Sequence, residues 1–582
     1  MILQALVEHY EDLANAGKIG RPGWSDVKVS YALDIDDNGS IINVIPMLTE
    51  QPSGKKTKML PQPVMLPLPV KRTVGISANF LCDNSSYILG VDLKGNPKRA
   101  KECFEACKEL HRTILSDVDC AHAAALLNFF ENWDPDKIDS IPAVATLSDE
   151  LLSGGNLIFY HNGESIHTDA DIVSAWQRHY NSSSGDENMI CLVTGESAPP
   201  AILHPSIKGI AGAQSSGASL VSFNAPSFCS YGHTGEQGKN APTSEYAAFA
   251  YGAALNALIA DREHTWRIGD TTVMCWAKGG EPAYQGLFGG FLCGDSYYSE
   301  NDLQNVLKKV AHGEAIDFDE TRIDPDRPFY VLGISPNAAR LSVRFFHAST
   351  FGSMIKNIAL HYERLEIVRP ANDRFDTIPL WRLLNATVNQ NSRDKSASPI
   401  TSGETLRAIL ENGRYPASLL NGVVLRIRAE HEVTRERAAI IKAYYLRNIN
   451  QNGDPYISKE ALTVALNKEC TSTPYNLGRL FAILEEIQSK ANPGINTTIK
   501  DKYFNSASSI PAAIFPLLIN LAQKHIRKLG EGASIYCSKA LGEIMDKFDE
   551  PFPARMSLPQ QGEFQLGYYH QTQYRYTKKE DK

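Results

Sequence analysis

Residues 329 to 365, FYVLGISPNAARLSVRFFHASTFGSMIKNIALHYERL, hold the reading on which the fold class turns. FYVLGIS and RLSVRFFHAST read as strands in a strand-turn-strand arrangement, and the spacing from Met354 to His361 changes to that of a helix. Toward the N-terminus, strands keep recurring among helices. VKVSYALDIDDNGSIINVIPML (27 to 48) reads as a β-hairpin around Asp-Asn-Gly, LIFYHNG and MICLVTG flank a helix near Ile172 to His179, and TTVMCWA is a further strand. Toward the C-terminus, from about Pro370, strand patterns vanish. Thr377 to Asn389, Gly403 to Leu410, Leu419 to Arg428, Thr434 to Asn448, Ser458 to Lys468, Tyr475 to Lys490, Ile514 to Leu529 and Ser534 to Phe548 all carry helical period. The expected class is α+β, with a mixed α/β domain at 1–375 and an all-α helical bundle at 376–582. NQNSRDKSAS supplies linker chemistry between them.

With 582 residues, 43% hydrophobic and 21% charged, the chain is long enough for several cores, and no apolar run reaches the roughly 18 residues of a membrane span. MILQALVEHYEDLANAG reads as a helix and not an export signal, which points to a reducing, cytoplasmic setting. The ten cysteines, scattered mostly through apolar stretches, are expected as reduced thiols without disulfides. The formal net charge is -8, unevenly spread: residues 401–582 hold 24 Lys and Arg against 19 Asp and Glu, while residues 1–400 hold 34 against 47. Such a chain does not bind DNA indiscriminately by charge. It needs local basic patches.

TEQPSGKKTKMLPQPVMLPLPVKR (49–72) carries five prolines from Pro52 to Pro69 and is expected as an extended, partly exposed arm without fixed ladder pairing, bearing Lys55, Lys56 and Lys58. Several short motifs fail on inspection. Asp34-Ile35-Asp36-Asp37-Asn38-Gly39 starts like a calcium loop, but Ile45 stands where a bidentate Glu is needed, so a hairpin turn is expected. The glycines around Gly212 and Gly217 lack a P-loop lysine, and Gly232 to Lys239 has the wrong spacing. Cys103 and Cys107 share a helical face without a second Cys/His pair at metal-ligand spacing, and His431-Glu432 lacks the second histidine of a zinc protease. No catalytic residue, metal or cofactor is expected.

The informative segment is LHPSIKGIAGAQSSGASLVSFNAPSFCSYGHTGEQGKNAPTSEYAAFAYGAALNALI, residues 203 to 259. Its glycines allow close backbone approach, its amides and hydroxyls offer hydrogen bonds, and Phe223, Phe228 and Tyr231 offer stacking faces, a composition suited to nucleic acid and equally to a packed glycine-rich connection. Together with KRTVGISANFLCDNSSYILG (71 to 90), the opening stretch at 329 to 365 and FQLGYYHQTQYRYTKK (564 to 579), it resembles the large subunit of the type I-C CRISPR Cascade, the Csd-type signature family, in the same order along almost the whole chain.

The resemblance implies a non-catalytic subunit of an RNA-guided surveillance complex. It reads a protospacer-adjacent motif, helps unwind target double-stranded DNA and stabilises the R-loop, while the guide supplies sequence specificity. Its implied partners are the crRNA-containing backbone subunits, the crRNA-processing subunit, a small subunit, and a helicase-nuclease recruited on target binding, with no membrane. The family makes its small subunit by internal translation of the helical part. No Met occurs between Met354 and Met545, so such a product here needs a non-AUG start. A nuclease of the same system and a protein-only scaffold are the competing functions.

For motif reading the candidates are Lys71, Arg72, Ser77, Asn79 and Asn84, since a Lys-Arg pair followed by amides reaches phosphates and base edges together; Arg72 can equally pair with Asp83 or Asp92. For opening the duplex they are Gln214, Ser215, Ser216, Lys239 and Asn240, with a structural turn as the alternative. Backbone candidates are Asn337, Arg340 and Arg344, beside Ser335, with Arg340, Ser342 and Arg344 alternating onto one strand face away from Leu341 and Val343. Arg428, Arg435 and Lys442, seven residues apart, are expected along one side of the helical region, where Glu432 and Glu436 temper the patch.

Overall fold

A computed structural model describes residues 2–53, 56–70, 72, 75–92, 96–145, 151–152, 154–182, 188–261, 264–294, 300–318, 320–393, 395–448 and 457–576. The chain forms two compact units: Met1–Pro205 with Val221–Leu255, and Ser206–Leu220 with Asn256–Lys582.

In the first unit, β1 (Trp24–Val29), β2 (Tyr31–Ile35), β3 (Ile41–Pro46), β4 (Leu48–Ser53) and β5 (Lys56–Pro67) follow an N-terminal helix, Ile2–Asn15. β2 pairs antiparallel with β3 and parallel with β6 (Leu157–His161), and β7 (Glu164–Ser165) closes the order β3-β2-β6-β7. Every residue of β2 is buried, as expected of a strand covered on both faces. The calcium-loop-like string is the β2–β3 turn: Asp36 Oδ1 accepts from the N–H groups of Asn38 and Ser40 at 2.9 and 2.8 Å. Gly39 sits there at φ +79°, and a Cβ on it would lie 2.1 Å from the Phe129 backbone nitrogen, so no other residue fits.

The proline-rich stretch departs from expectation. Instead of an unpaired arm it forms a sheet of order β1-β5-β4, with Lys56 to Pro61 registered on β4 and Gln62 to Pro67 on β1. Each half of β5 is paired on one side only, the edge setting in which a residue without an N–H is tolerated. Lys55 lies outside the described residues. MICLVTG shrinks to a two-residue strand, β8 (Met189–Ile190), paired with β9 (Ser197–Ala198). Helices Pro97–Leu115, Ala121–Asn132 and Ala170–Ser182 contribute to a core rich in aromatics, including Phe80, Phe104, Phe129, Phe130, Phe159 and Trp176.

The second unit holds β10 (Ser206–Ile207), β11 (Ala218–Ser219), β12 (Thr265–Ile268), β13 (Thr271–Ala277), the small β14–β15 pair (Ile316–Phe318, Thr321–Ile323), β16 (Pro328–Asn337) and β17 (Arg340–Thr350). Six of these make a sheet of order β10-β11-β17-β16-β13-β12. The helical period near Met354 becomes the helix Phe351–Leu365, and helices follow to Tyr576. The class is α+β. The change of pattern near residue 375 is a change of secondary structure inside one continuous core, which runs from Ile268 on the sheet to Tyr569 in the last described helix.

That core is tightest where the helices Thr473–Ala491 and Leu558–Tyr576 meet. A Cβ on Gly478 would lie 1.9 Å from the Phe564 carbonyl oxygen, and one on Gly567 2.0 Å from that of Tyr475. Glycine inside a helix costs about 1 kcal/mol relative to alanine, so its presence at two facing positions reflects backbone contact that a methyl group would break. Gly478→Ala or Gly567→Ala therefore destabilises the protein by about 1–3 kcal/mol through overpacking, read as a lower thermal midpoint; an unchanged midpoint contradicts the packing described.

Candidate nucleic-acid interface

Residues 72 to 84 gather around one carboxylate. Asp83 has a side chain only 1% exposed. A buried charge is tolerated only when paired and hydrogen-bonded. Arg72 supplies the pair: Nη1 donates to Oδ1 at 3.0 Å and Nη2 bonds Oδ2. The backbone N–H groups of Asn84 and Asn79 donate to the two oxygens at 2.9 and 3.0 Å. Arg72 also donates from Nε to the Ser77 carbonyl at 2.6 Å, and its guanidinium lies over the Tyr87 ring, 4.0 Å from the centroid. Asn79 accepts from the Val70 N–H at 2.9 Å, and Asn84 caps the short helix Ser85–Ile88 by accepting from Ser86.

From beneath, the helix Pro97–Leu115 holds the same loop. His111 Nε2 accepts the Leu81 N–H at 3.0 Å while Nδ1 donates to the Cys107 carbonyl at 2.8 Å. Leu81 is held at φ +62°, which a leucine adopts only under such restraint. Burial lowers the His111 pKa from 6.5 to about 4, so its ring is neutral and keeps this tautomer. His111 also packs against Phe80, with ring centroids 4.9 Å apart, and Phe80 stacks on Trp176 at 5.5 Å.

Above the loop opens a polar cleft of about 330 Å³ lined by Arg72, Gly75, Asn84, Ser86, Tyr87, Asp92 and Arg99, with Ala100 and Cys103 at its base. One wall is the start of the helix Pro97–Leu115. Asn96 caps it by accepting from the Arg99 N–H, and Lys98, Arg99 and Lys101 are exposed on its first turns. Arg99 Nη2 donates to the Gly75 carbonyl at 3.0 Å, tying this wall to the loop, and Lys101 pairs with the exposed Asp136 at 2.8 Å. Cations at a helix N-terminus make a setting for phosphate. The reading of the sequence passed over Arg99; its signal was Asn96-Pro97, a cap followed by proline at the first helical position.

The other candidate residues scatter. Lys71 lies outside the described residues. Gln214, Ser215 and Ser216 form an exposed turn, closed by Gly217 N–H to Gln214 carbonyl at 2.9 Å, between β10 and β11 of the second unit. Lys239 and Asn240 belong to the first unit, where Lys239 pairs with Glu236 at 3.0 Å and Asn240 braces its loop through Ser230, His233 and Glu236. The chosen loop thus divides between two units.

On the β16–β17 hairpin, Asn337 pairs with Arg340 at the turn and Ser335 is fully buried. The expected alternation ends early: Ile334 pairs with Val343 and Gly333 with Phe345, leaving Arg344 as the extra residue of a bulge. Val343 and Arg344 are therefore both exposed, and Arg344 reaches Asp270 at 3.0 Å. The expected cationic path along the helical region is corrected by burial. Arg435 is 6% exposed and spends its guanidinium on Asp373 and the carbonyls of Phe375 and Asp376, at 3.0, 2.6 and 2.6 Å. Lys442 is 2% exposed, donates to the carbonyls of Glu366 and Arg364, and is pushed down to about 8 by burial. Arg428 alone of the three is exposed, bonded to Gln561 at 2.9 Å.

Two outcomes follow from this geometry. Arg72→Ala leaves Asp83 buried without its partner, a loss of about 3 kcal/mol for a broken buried pair, whereas Arg99→Ala leaves the thermal midpoint nearly unchanged; equal effects contradict the assignment of Arg72 to the fold. Burial also lowers His9 and His204 to about 4, as it does His111. These rings take up protons near 6.5 when unfolded and only near 4 when folded, so their stabilisation is complete above about pH 6.5 and is lost as the pH falls toward 4. The thermal midpoint falls over that interval, and His111→Gln makes the fall shallower.

No helix among the described residues is long and apolar enough to cross a membrane. A search of curated proteins finds no match. Residues 6–576 match the family described as CRISPR-associated protein (Cas_Csd1), which covers both units and every candidate residue above. The chain belongs to the Csd1 family of CRISPR-associated proteins.

Proposed function

We propose that this chain is the non-catalytic large subunit of a type I-C RNA-guided surveillance complex, reading the protospacer-adjacent motif and helping to part the duplex and hold the R-loop. The observation that carries this reading is the family match across residues 6–576, joined to a polar cleft lined by Asn84, Ser86 and Arg99, with Asp92 also on its wall. Guide pairing supplies sequence recognition in such a complex, so the protein needs only a short motif contact and a few phosphate contacts. An acidic chain with a local cluster of Lys98, Arg99 and Lys101 suits that division of labour. Asn84 and Ser86 on the cleft wall offer the amide and hydroxyl chemistry that base edges require. The crRNA-bearing backbone, the crRNA-processing subunit, the small subunit and the recruited helicase-nuclease complete the proposed assembly.

The test uses the reconstituted complex on duplexes with and without the flanking motif. Replacing Lys98 and Arg99 together by alanine weakens binding to all targets alike and reduces the slope of log affinity against log salt by about 2, one unit per phosphate contact. An unchanged slope removes the cleft from the DNA path. Incubation of the purified chain with labelled RNA and DNA leaves both uncut; cleavage would favour the nuclease reading instead.

A further inference from the structure

Of the motif-reading candidates among the described residues, Arg72 and Asn84 line the cleft, while Ser77 and Asn79 do not. Arg72 is consumed by Asp83 and Ser77. Asn84 keeps a group unspent. Its backbone N–H donates to Asp83 Oδ1 at 2.9 Å and its carbonyl accepts the Tyr87 and Ile88 N–H groups at 3.0 Å, so the main chain is fixed on both sides. Its side-chain Oδ1 accepts the Ser86 N–H at 3.0 Å. That bond also fixes which way the amide lies, because a flipped amide would set one N–H against another. Nδ2, geminal to the bound oxygen, keeps both N–H donors without an acceptor among the described residues.

The cap does not require an asparagine. Ser, Asp and Asn cap a helix start about equally well, through the one oxygen that accepts. What asparagine adds is the NH2 group, and its surroundings are also rich in donors. Ser86 contributes a hydroxyl, and Arg99 spends one of its five N–H groups on the Gly75 carbonyl. The carboxylate of Asp92 on the same wall is already engaged. Tyr87 gives no stacking face, since it is 5% exposed and the Arg72 guanidinium lies over its ring. At about 330 Å³ the cleft is at the small end of the roughly 300–1,000 Å³ range of ligand sites, room for one base edge and not for a run of bases.

We propose that Asn84 is the residue that reads the flanking motif, by donating from Nδ2 to an acceptor on one base edge, so that the cleft selects for acceptors. The assignment rests on the motif-reading role proposed above and gives it to one group of one residue. A free asparagine amide pairs with adenine through its donor and its acceptor together. Here Ser86 holds the oxygen, so the contact is by donor alone. A purine N7 or N3, or a pyrimidine O2 or O4, satisfies it. The exocyclic amine of adenine or cytosine in the same place sets donor against donor. Arg99 and Lys98 meanwhile hold the neighbouring phosphates, which positions the duplex without reading it.

The reconstituted complex is measured on duplexes in which each motif position carries each base in turn, and then on duplexes whose base analogues delete one acceptor at a time: a purine N7 or N3, or a pyrimidine O2 or O4. In the parent complex one such deletion weakens binding about 5- to 10-fold. Asn84→Ser keeps the cap and the thermal midpoint. Its preference for motif-bearing over motif-free duplex falls about 5- to 10-fold, and deleting the same acceptor then costs nothing further. An analogue penalty that persists at full size in Asn84→Ser overturns the assignment. So does a variant that prefers the motif as strongly as the parent, or a parent indifferent to every deleted acceptor. A parent complex that binds motif-bearing and motif-free duplexes alike overturns the motif-reading role itself, a result distinct from the failure of Asn84 alone. The analogue series on the parent needs no substitution, so it decides the matter even where Asn84→Ser lowers the midpoint.

Discussion

A carboxylate withdrawn from water at Asp83 is the constraint on which the candidate interface depends. Its charge forces Arg72 and two backbone N–H groups to converge on it, and the chain between them must curve to reach. That curvature places Leu81 in the left-handed region, a conformation that His111 secures from the helix beneath. Fixing these few residues fixes the cleft above them. Asn84 and Ser86 of this loop and Arg99 of the helix start then line one polar cleft.

This ordering explains why Arg72 and Arg99 differ in kind although both line the same cleft. Arg72 is spent on Asp83, Ser77 and Tyr87. Arg99 sits on a capped helix start beside Lys98 and Lys101, where its guanidinium donates to the Gly75 carbonyl. The same distinction holds in the helical region. Arg435 and Lys442 look like a cationic stripe when spaced along a helix, yet each satisfies carbonyls left open by the chain around residues 364 to 376. A buried cation bonded to such carbonyls ties the end of the helix Phe351–Leu365 and the loop after it to the helix that follows at Arg435–Asn448.

The fold was legible in the sequence wherever one period ran long enough. The hairpin at 31–46, the strands at 329–350 and the long C-terminal helices follow from local pattern, because their buried faces repeat every two or 3.6 residues. By contrast, Ser458 to Lys468, expected as a helix, holds only the 3-10 turn Lys459–Ala461, and Val27 to Val29 pair with β5. The proline-rich β5 was not legible, since its pairing depends on open edges that only the assembled sheet reveals. The bulge at Arg344 escaped for the same reason: one residue added between Val343 and Phe345 reverses an alternation that looks regular in sequence. Of the candidate site, Arg72, Ser77, Asn79 and Asn84 were named and do meet in space. What sequence could not give was which of them the buried Asp83 would consume.

The most direct test is amide hydrogen exchange on the reconstituted complex, with and without a target duplex carrying the flanking motif. The account predicts that amides from 75 to 92 are already slow to exchange in the unliganded complex, and that binding slows exchange further at 84–101. Fast exchange through 75–84 before binding, or protection by DNA confined to other parts of the chain, would contradict it.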